Sequence, residues 1–325
     1  MTQKTILVTG AAGFIGSHVS LALMARGDNV VGVDNLNDYY AVSLKQARLD
    51  RLFGPKFTFR KVDVADKEAI LPLAKEFPQI DGVVHLAAQA GVRHSLIDPY
   101  TYVQSNVMGQ VVMLELAKLL GGLNSFVYAS SSSVYGGNTK QPFSVADPVE
   151  TPNSLYAATK RSDELIAYTY AHLFGIAVTG LRFFTVYGPW GRPDMAAFIF
   201  TRAILAGEPI TVFNNGDMRR DFTFIDDIVN GIVRALDRPP SGTPPQAVYN
   251  LGNHRSEKLM DFISLIETAL ERKAEKQFAP LQPGDVPETY SDIEVSRRDL
   301  GFEPTTPISI GIPRFIRWYK DYYVV

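Results

Sequence analysis

Cysteine is absent from this chain, which removes disulfides, thiolate metal sites and a cysteine nucleophile together. Charge imbalance is missing too. A net charge of −2 provides no field that would draw in nucleic acid or an anionic membrane, so any anion must be bound by local groups. No run of about 18 apolar residues occurs, and MTQKTILVTG passes straight into a strand pattern without the apolar stretch of a signal peptide. A cytosolic protein is the expectation. The five histidines, His18, His85, His94, His172 and His254, show no H-E-x-x-H or comparable ligand spacing, so no metal is expected. What remains is ordinary for a globular protein: 46% hydrophobic and 20% charged residues. At 325 residues, one large domain with a smaller partner is the natural prior.

Thr5 to Val8 is a short β-branched run, followed at once by Gly10-Ala-Ala-Gly13-Phe14-Ile15-Gly16 and an apolar helical pattern through Ala25. Strand, tight glycine turn and helix in that order suit a dinucleotide. Glycines let the backbone approach a pyrophosphate, and the helix N-terminus turns free N–H groups toward it. The second strand, Asn29 to Val33, ends in Asp34, a carboxylate placed to accept from both ribose hydroxyls of an adenosine and to repel a 2′-phosphate, which favours NAD over NADP. Phe57 to Val62 leads to Asp63, readable as an adenine contact or as a helix cap. Asp81 to Leu86 is a fourth strand ending in small residues, Pro99 to Leu120 one long helix, and Ser125 to Ala129 a strand running into Ser130 to Ser133. Serine runs usually serve turns and caps, but this one lies at the carboxyl end of a parallel strand, where ligands bind in open α/β sheets.

Asn153 to Gly175 reads as a helix with N-cap oxygens at its start and a glycine stop. Tyr156 and Lys160 are four apart on it and share one face. A nearby ammonium stabilises a phenolate, so this spacing makes Tyr156 a usable base. A strand from Ile176 to Phe183 completes the alternation. The expected fold is α/β, a doubly wound parallel sheet (Rossmann-like) over residues 1–184, with a smaller C-terminal α/β lobe over 185–325 that binds substrate and is partly interleaved with the sheet. In the lobe, helices are expected near 195–206, 226–236 and 257–270, strands near 210–213, 247–251 and 275–279, and an amphipathic helix from Pro307 to Tyr323. A dinucleotide site, a Tyr/Lys pair and a serine loop together describe hydride transfer at a carbinol carbon. Tyr156 takes the hydroxyl proton, Lys160 holds the phenolate and the nicotinamide ribose, and Ser131 bonds the reacting oxygen.

The chain resembles the extended short-chain dehydrogenase/reductases of the nucleotide-sugar branch over essentially its whole length. The resemblance is carried by the glycine turn with Thr9, Asp34-Asn35, His85-Leu-Ala-Ala, Ser130-Ser-Ser-Ser-Val-Tyr-Gly136, Tyr156-Ala-Ala-Thr-Lys160 and Leu181-Arg-Phe-Phe-Thr-Val-Tyr-Gly-Pro189. Within the branch, Phe184 to Met195 is similar to the UDP-glucuronate 4-epimerases, where UDP-galactose epimerases usually have asparagine at the position of Thr185. The resemblance implies NAD contacts from Gly10, Gly13, Phe14, Ile15, Gly16, Asp34, Asn35, Asp63, Val64, Leu86, Ala87, Ala88 and Gln89, besides Tyr156 and Lys160. For a UDP-sugar it implies contacts from Arg93, Ser131, Ser132, Ser133, Thr185, Arg192, Val212, Phe213, Arg220, Gln282 and Asp285. A uronate carboxylate needs a cation or converging donors, which Ser131 to Ser133, Thr185 and Arg192 are placed to provide. Arg192 and Arg93 are readable equally as surface charges.

The implied reaction is 4-epimerisation through a 4-keto sugar, with no net redox. A 4,6-dehydratase would need an Asp-Glu pair where Ser132 and Ser133 stand, and a UDP-glucuronate decarboxylase an acidic residue in the same loop. A UDP-glucose or UDP-N-acetylhexosamine 4-epimerase remains the serious alternative, and a non-catalytic NAD-sensing module would have no need of the Tyr/Lys pair. By resemblance, a homodimer is expected through the helices spanning 99–120 and 153–173.

Overall fold

The computed structural model describes residues 3–282 and 285–325. Its centre is a parallel sheet of seven strands built from alternating strands and helices. These are β1 (Thr5–Thr9), α1 (Phe14–Arg26), β2 (Asn29–Asp34), α2 (Val42–Asp50), β3 (Phe57–Lys61), α3 (Lys67–Ile70), α4 (Leu73–Glu76), β4 (Ile80–His85), α5 (Pro99–Tyr102), α6 (Gly109–Leu120), β5 (Ser125–Ser131), α7 (Leu155–Phe174) and β6 (Val178–Phe183). With β11 (Gln246–Leu251) at its edge, the strand order is β11-β6-β5-β4-β1-β2-β3, so the direction of winding reverses beside β1 and opens a crevice at the carboxyl ends of the strands. Strands buried on both faces read as unbroken β-branched runs. In β1, Ile6 and Val8 face one core and Leu7 the other, all at most 1% exposed.

The second half supplies β7 (Thr185–Tyr187), α8 (Ala196–Ala206), β8 (Ile210–Phe213), β9 (Arg219–Arg220), β10 (Phe222–Phe224), α9 (Ile225–Asp237), β11 (Gln246–Leu251), β12 (Glu257–Lys258), α10 (Leu259–Leu270), β13 (Lys276–Ala279), α11 (Glu294–Leu300) and α12 (Ile308–Tyr323). Three two-stranded pairs, β7 with β10, β8 with β13 and β9 with β12, frame the lobe over the crevice. The chain returns to the large sheet in between, where β11 pairs in parallel with β6 from Gln246↔Val178 to Leu251↔Phe183. On α12, Phe315 and Tyr319 are buried, and Trp318 and Tyr322 close on Trp190 at ring distances of 5.3 and 5.0 Å.

Two elements differ from expectation. The helix expected over 99–120 is interrupted by a π-helical turn, Val103–Met108, between α5 and α6. Its buried Asn106 makes three side-chain hydrogen bonds to neighbouring segments. The strand expected to stop at Ala129 runs on to Ser131, because pairing with β6 continues through Ser130↔Arg182 and Ser131↔Phe183. Neighbouring strands outweigh the weak strand preference of serine.

Candidate active site

A cleft of about 1060 Å³ lies between the carboxyl ends of the sheet and the lobe. On the sheet side, Gly10 adopts a left-handed φ of 68° and approaches β4 so closely that a Cβ would sit 2.9 Å from the Ala87 nitrogen. At Gly16 a Cβ would fall 2.0 Å from the Gly10 carbonyl oxygen. Only glycine lets α1 start against this turn. Gly13 caps α1 with no side-chain acceptor, so the first amides of the helix face the cleft free for an anion. Asp34 accepts from Leu36 N at 2.8 Å and Ala12 N at 3.1 Å, and burial raises its pKa. Asn35 donates to Asp63 at 2.8 Å, while the other oxygen of Asp63 accepts from Ala65 N at 2.9 Å. Asp63 thus forms an Asx turn rather than a helix cap, since α3 is capped by Asp66, whose carboxylate accepts from Glu68 N and Ala69 N. This cradle of glycine backbone, helix terminus and cleft-lining carboxylate fits a dinucleotide.

Thr9 Oγ1 lies 2.7 Å from His85 Nδ1 and accepts from Leu86 N and Ala87 N, which ties the ends of β1 and β4 together. Burial lowers the His85 pKa to about 3, with Lys160 adding to the effect.

Ser154 caps α7 by accepting from Ala157 N at 3.1 Å, and Gly175 ends the helix at φ 66°. Tyr156 and Lys160 face the cleft from its first turns. A relay unforeseen from sequence holds this start. Asn106 accepts from Gln89 N at 2.8 Å, donates to Gln89 O at 3.1 Å and to Thr159 Oγ1 at 2.9 Å, and Thr159 Oγ1 donates to the Tyr156 carbonyl at 2.8 Å. The loop after β4 and the start of α7 are thus joined through one amide. No local signal marked Asn106, which stands beside Gln104 and Ser105 with Gln110 one turn on.

The serines divide by role. Ser130 is buried and donates to Glu164 Oε1 at 2.7 Å. Ser131 donates to Ser133 Oγ at 3.1 Å and accepts from Ser133 N at 3.2 Å, at the head of a short 3₁₀ turn that carries Ser132 and Ser133 along the cleft. Beneath them, Arg182 grips both oxygens of Glu164 at 2.8 and 2.9 Å and donates to Tyr135 Oη at 3.0 Å, and Tyr135 donates to Asn250 at 2.7 Å. Arg182 and Glu164 are 3% and 2% exposed. Arg182 holds the Glu164 carboxyl below its ordinary range against the opposing effect of burial.

On the lobe side the cations already have partners. Arg192 engages both oxygens of Asp194, with Nε to Oδ1 at 3.0 Å, and Tyr39 donates to the same carboxylate at 3.3 Å. Arg220 donates to Asp285 at 2.7 Å and to Pro287 O at 3.0 Å. Arg93 stacks 5.0 Å over Phe213 and lies 3.9 Å from Asp285. Thr185 opens β7, fixed by its backbone bond to Asp221 O. Asp221 is fully buried and accepts from Asn253 N, Thr223 and both groups of Ser291; burial pushes it up to about 6. Every residue named from sequence lines the cleft except Val212 and Gln282. The Val212 side chain is fully buried between lobe elements, and Gln282 precedes Pro283 and Gly284, which lie outside the described residues. Among the described residues no group of acidic, histidine or cysteine side chains is arranged to hold a metal, and no helix is long and apolar enough to cross a membrane.

A doubly wound sheet with a glycine-turn cradle, facing a Tyr/Lys helix across one cleft, defines a nucleotide-dependent short-chain oxidoreductase architecture. Residues 6–252 match the model of the NAD dependent epimerase/dehydratase family, and the chain belongs to that family. It is 49% identical to UDP-glucuronate 4-epimerase 4 of Arabidopsis thaliana over 98% of this chain and 76% of that one. It is 48% identical to protein CapI of Staphylococcus aureus over 98% and 99%. The crystal structure of UDP-glucuronic acid 4-epimerase from Bacillus cereus, in complex with UDP-glucuronic acid and NAD, superposes with a TM-score of 0.91 at 36% identity, covering 98% of this chain and 100% of that one.

Proposed function

We propose that this protein is an isomerase that interconverts UDP-glucuronate and UDP-galacturonate by NAD-dependent epimerisation at C4. The observation that carries the reading is the convergence, in a single cleft, of Tyr156 and Lys160 with the hydroxyls of Ser131 to Ser133 and Thr185, opposite a dinucleotide cradle. NAD, when bound, supplies the acceptor and donor of the C4 hydride. Tyr156 takes the 4-hydroxyl proton, Lys160 steadies the resulting phenolate, and Ser131 hydrogen-bonds the reacting oxygen. Arg220 anchors the diphosphate, sharing its guanidinium with Asp285, so the 4-keto sugar can turn about that anchor and present its other face.

A 4-keto uronate is a β-keto acid and tends to lose carbon dioxide. Since Arg192 is committed to Asp194, we assign the grip on the C6 carboxylate to the serine hydroxyls and Thr185, and to Arg192 the task of bracing the loop that follows β7. Turnover of UDP-glucuronate against UDP-glucose, followed by separation of the epimers, tests the assignment: preference for the uronate is expected, and preference for the neutral sugar refutes it. Thr185→Val is expected to release some UDP-pentose; a variant that yields only epimer removes Thr185 from this role.

We further propose a homodimer. Val103 and Met108 of the π-helical turn, Leu119 of α6, and Leu165, Tyr168 and Leu173 of α7 are 45 to 62% exposed on the adjoining helices expected to pair. A monomeric mass by light scattering at micromolar concentration would remove this reading.

A further inference from the structure

Behind the catalytic pair lies a carboxylate that the reaction above does not use. Asp163, one turn further along α7, is 1% exposed, and its Oδ2 accepts from Lys160 Nζ at 3.0 Å; Lys160 is itself 4% exposed. Among the described residues this is the only hydrogen bond of the Lys160 ammonium. An ammonium has three protons to donate. Asp163 takes one and leaves two for the cleft that Lys160 lines.

The other oxygen of Asp163, Oδ1, is shut from solvent and has no hydrogen-bond partner. A half-satisfied buried carboxylate is costly to keep. Burial raises its pKa to about 6, against the pull of Lys160, while the neighbouring Glu164 adds to the rise. The other charged and titratable groups around it give it no relief. Glu164 on the same helix is occupied by Arg182 of β6 and by Arg161. Tyr128 of β5 is driven well above its ordinary range by burial, and His85 of β4 is held neutral. Lys160 is therefore the cation to which Asp163 answers.

We propose that Asp163 is a positioning residue that pins the Lys160 ammonium from behind, so that its two remaining protons meet the nicotinamide ribose and the Tyr156 phenolate without first having to be reoriented. This rests on the reading of Lys160 given above. It also has an electrostatic consequence. With Asp163 ionised, the charges of the phenolate, Lys160, Asp163 and an oxidised nicotinamide sum to zero. Removing the carboxylate leaves the site one charge more positive, which favours the anionic over the neutral form of the base.

The test is a double-mutant cycle read by NAD binding to the free protein, followed by intrinsic fluorescence, together with the pH profile of kcat. Asp163→Asn is nearly isosteric; it should weaken NAD binding roughly tenfold and move the acidic limb of the profile to lower pH. In a Lys160→Met background the same change should cost nothing further, because the partner through which Asp163 acts is gone. That double variant removes both buried charges and keeps the test available should Asp163→Asn alone fail to fold. A folded Asp163→Asn with wild-type NAD affinity and an unmoved acidic limb overturns the proposal, as does an added loss in the Lys160→Met background. If Lys160→Met itself leaves NAD affinity and turnover intact, the reading of the catalytic pair fails along with it, and that result is distinct from a failure of Asp163 alone.

Discussion

The two walls of the cleft are held by different means. The sheet wall is built from backbone and buried networks: the glycine turn against β4, Asn106 joining Gln89 to Thr159, and Glu164 and Arg182 nearly sealed from water beneath the serines. The lobe wall is held by charged side chains: Arg192 with Asp194 on its own loop, and Arg220 with Asp285, toward which Arg93 reaches from the loop after β4. Those pairs are more open; the Arg93 side chain is 58% exposed and that of Asp285 26%. A rigid wall suits groups that must meet a reacting atom in one geometry, whereas an ion-paired wall can exchange partners when an anionic substrate arrives. If so, damage to the sheet wall should fall on the chemical step or the fold, and damage to the lobe wall on substrate affinity.

The largest effect expected from this contrast is on the sheet wall itself. Tyr156→Phe removes the base and should lower kcat by on the order of 10²- to 10⁴-fold in an epimerisation assay, with little change in NAD affinity. Glu164→Gln is next. It leaves Arg182 as a buried charge without its carboxylate, and a loss of about 3–5 kcal/mol in denaturant unfolding is expected. A loss below about 1 kcal/mol would class the pair with surface ion pairs and erase the distinction between the walls. On the lobe wall, Arg220→Met should raise KM for the UDP-sugar by about 10- to 100-fold while leaving the melting curve close to wild type. A fall in kcat at unchanged KM would show the lobe wall to be part of the catalytic geometry.

The same division explains what could be read before the fold was known. Groups brought together by local spacing were legible: the glycine turn, Asp34 at a strand end, and Tyr156 one turn from Lys160. Partners joined only by the fold were not. Arg182 is a charge in an apolar strand, and Glu164, which neutralises it, lies on the helix before it, 18 residues away. The resemblance implies a UDP-sugar contact from each of Arg220 and Asp285, with no hint that the two are bonded to each other across 65 residues. Arg192 is the exception to this rule, because Asp194, its partner, stands only two residues on. The return of β11 to the large sheet likewise depends on long-range pairing with β6, which a change of local pattern after Thr185 only partly signals.

The walls should also answer pH in opposite senses, and this is the smallest and most discriminating of the expected effects. His85 in the sheet wall has its pKa lowered to about 3 by burial. A depressed histidine favours the fold when neutral, so its contribution is complete above the ordinary value of about 6.5 and is lost as pH falls toward 3. Asp221 in the lobe wall is raised to about 6, also by burial. A raised carboxyl favours the fold when protonated, so its contribution is complete below about 3.9 and is lost as pH rises through 6. Between pH 7 and 5, His85 should therefore remove about 2 kcal/mol while Asp221 returns about 1 kcal/mol, in partial compensation. Unfolding free energies of His85→Asn and Asp221→Asn at the two pH values separate the contributions. Relative to wild type, the first variant should lose less stability on acidification and the second more. Slopes altered in the same direction by both substitutions would show that the two buried groups do not titrate independently, and that the walls are one electrostatic unit.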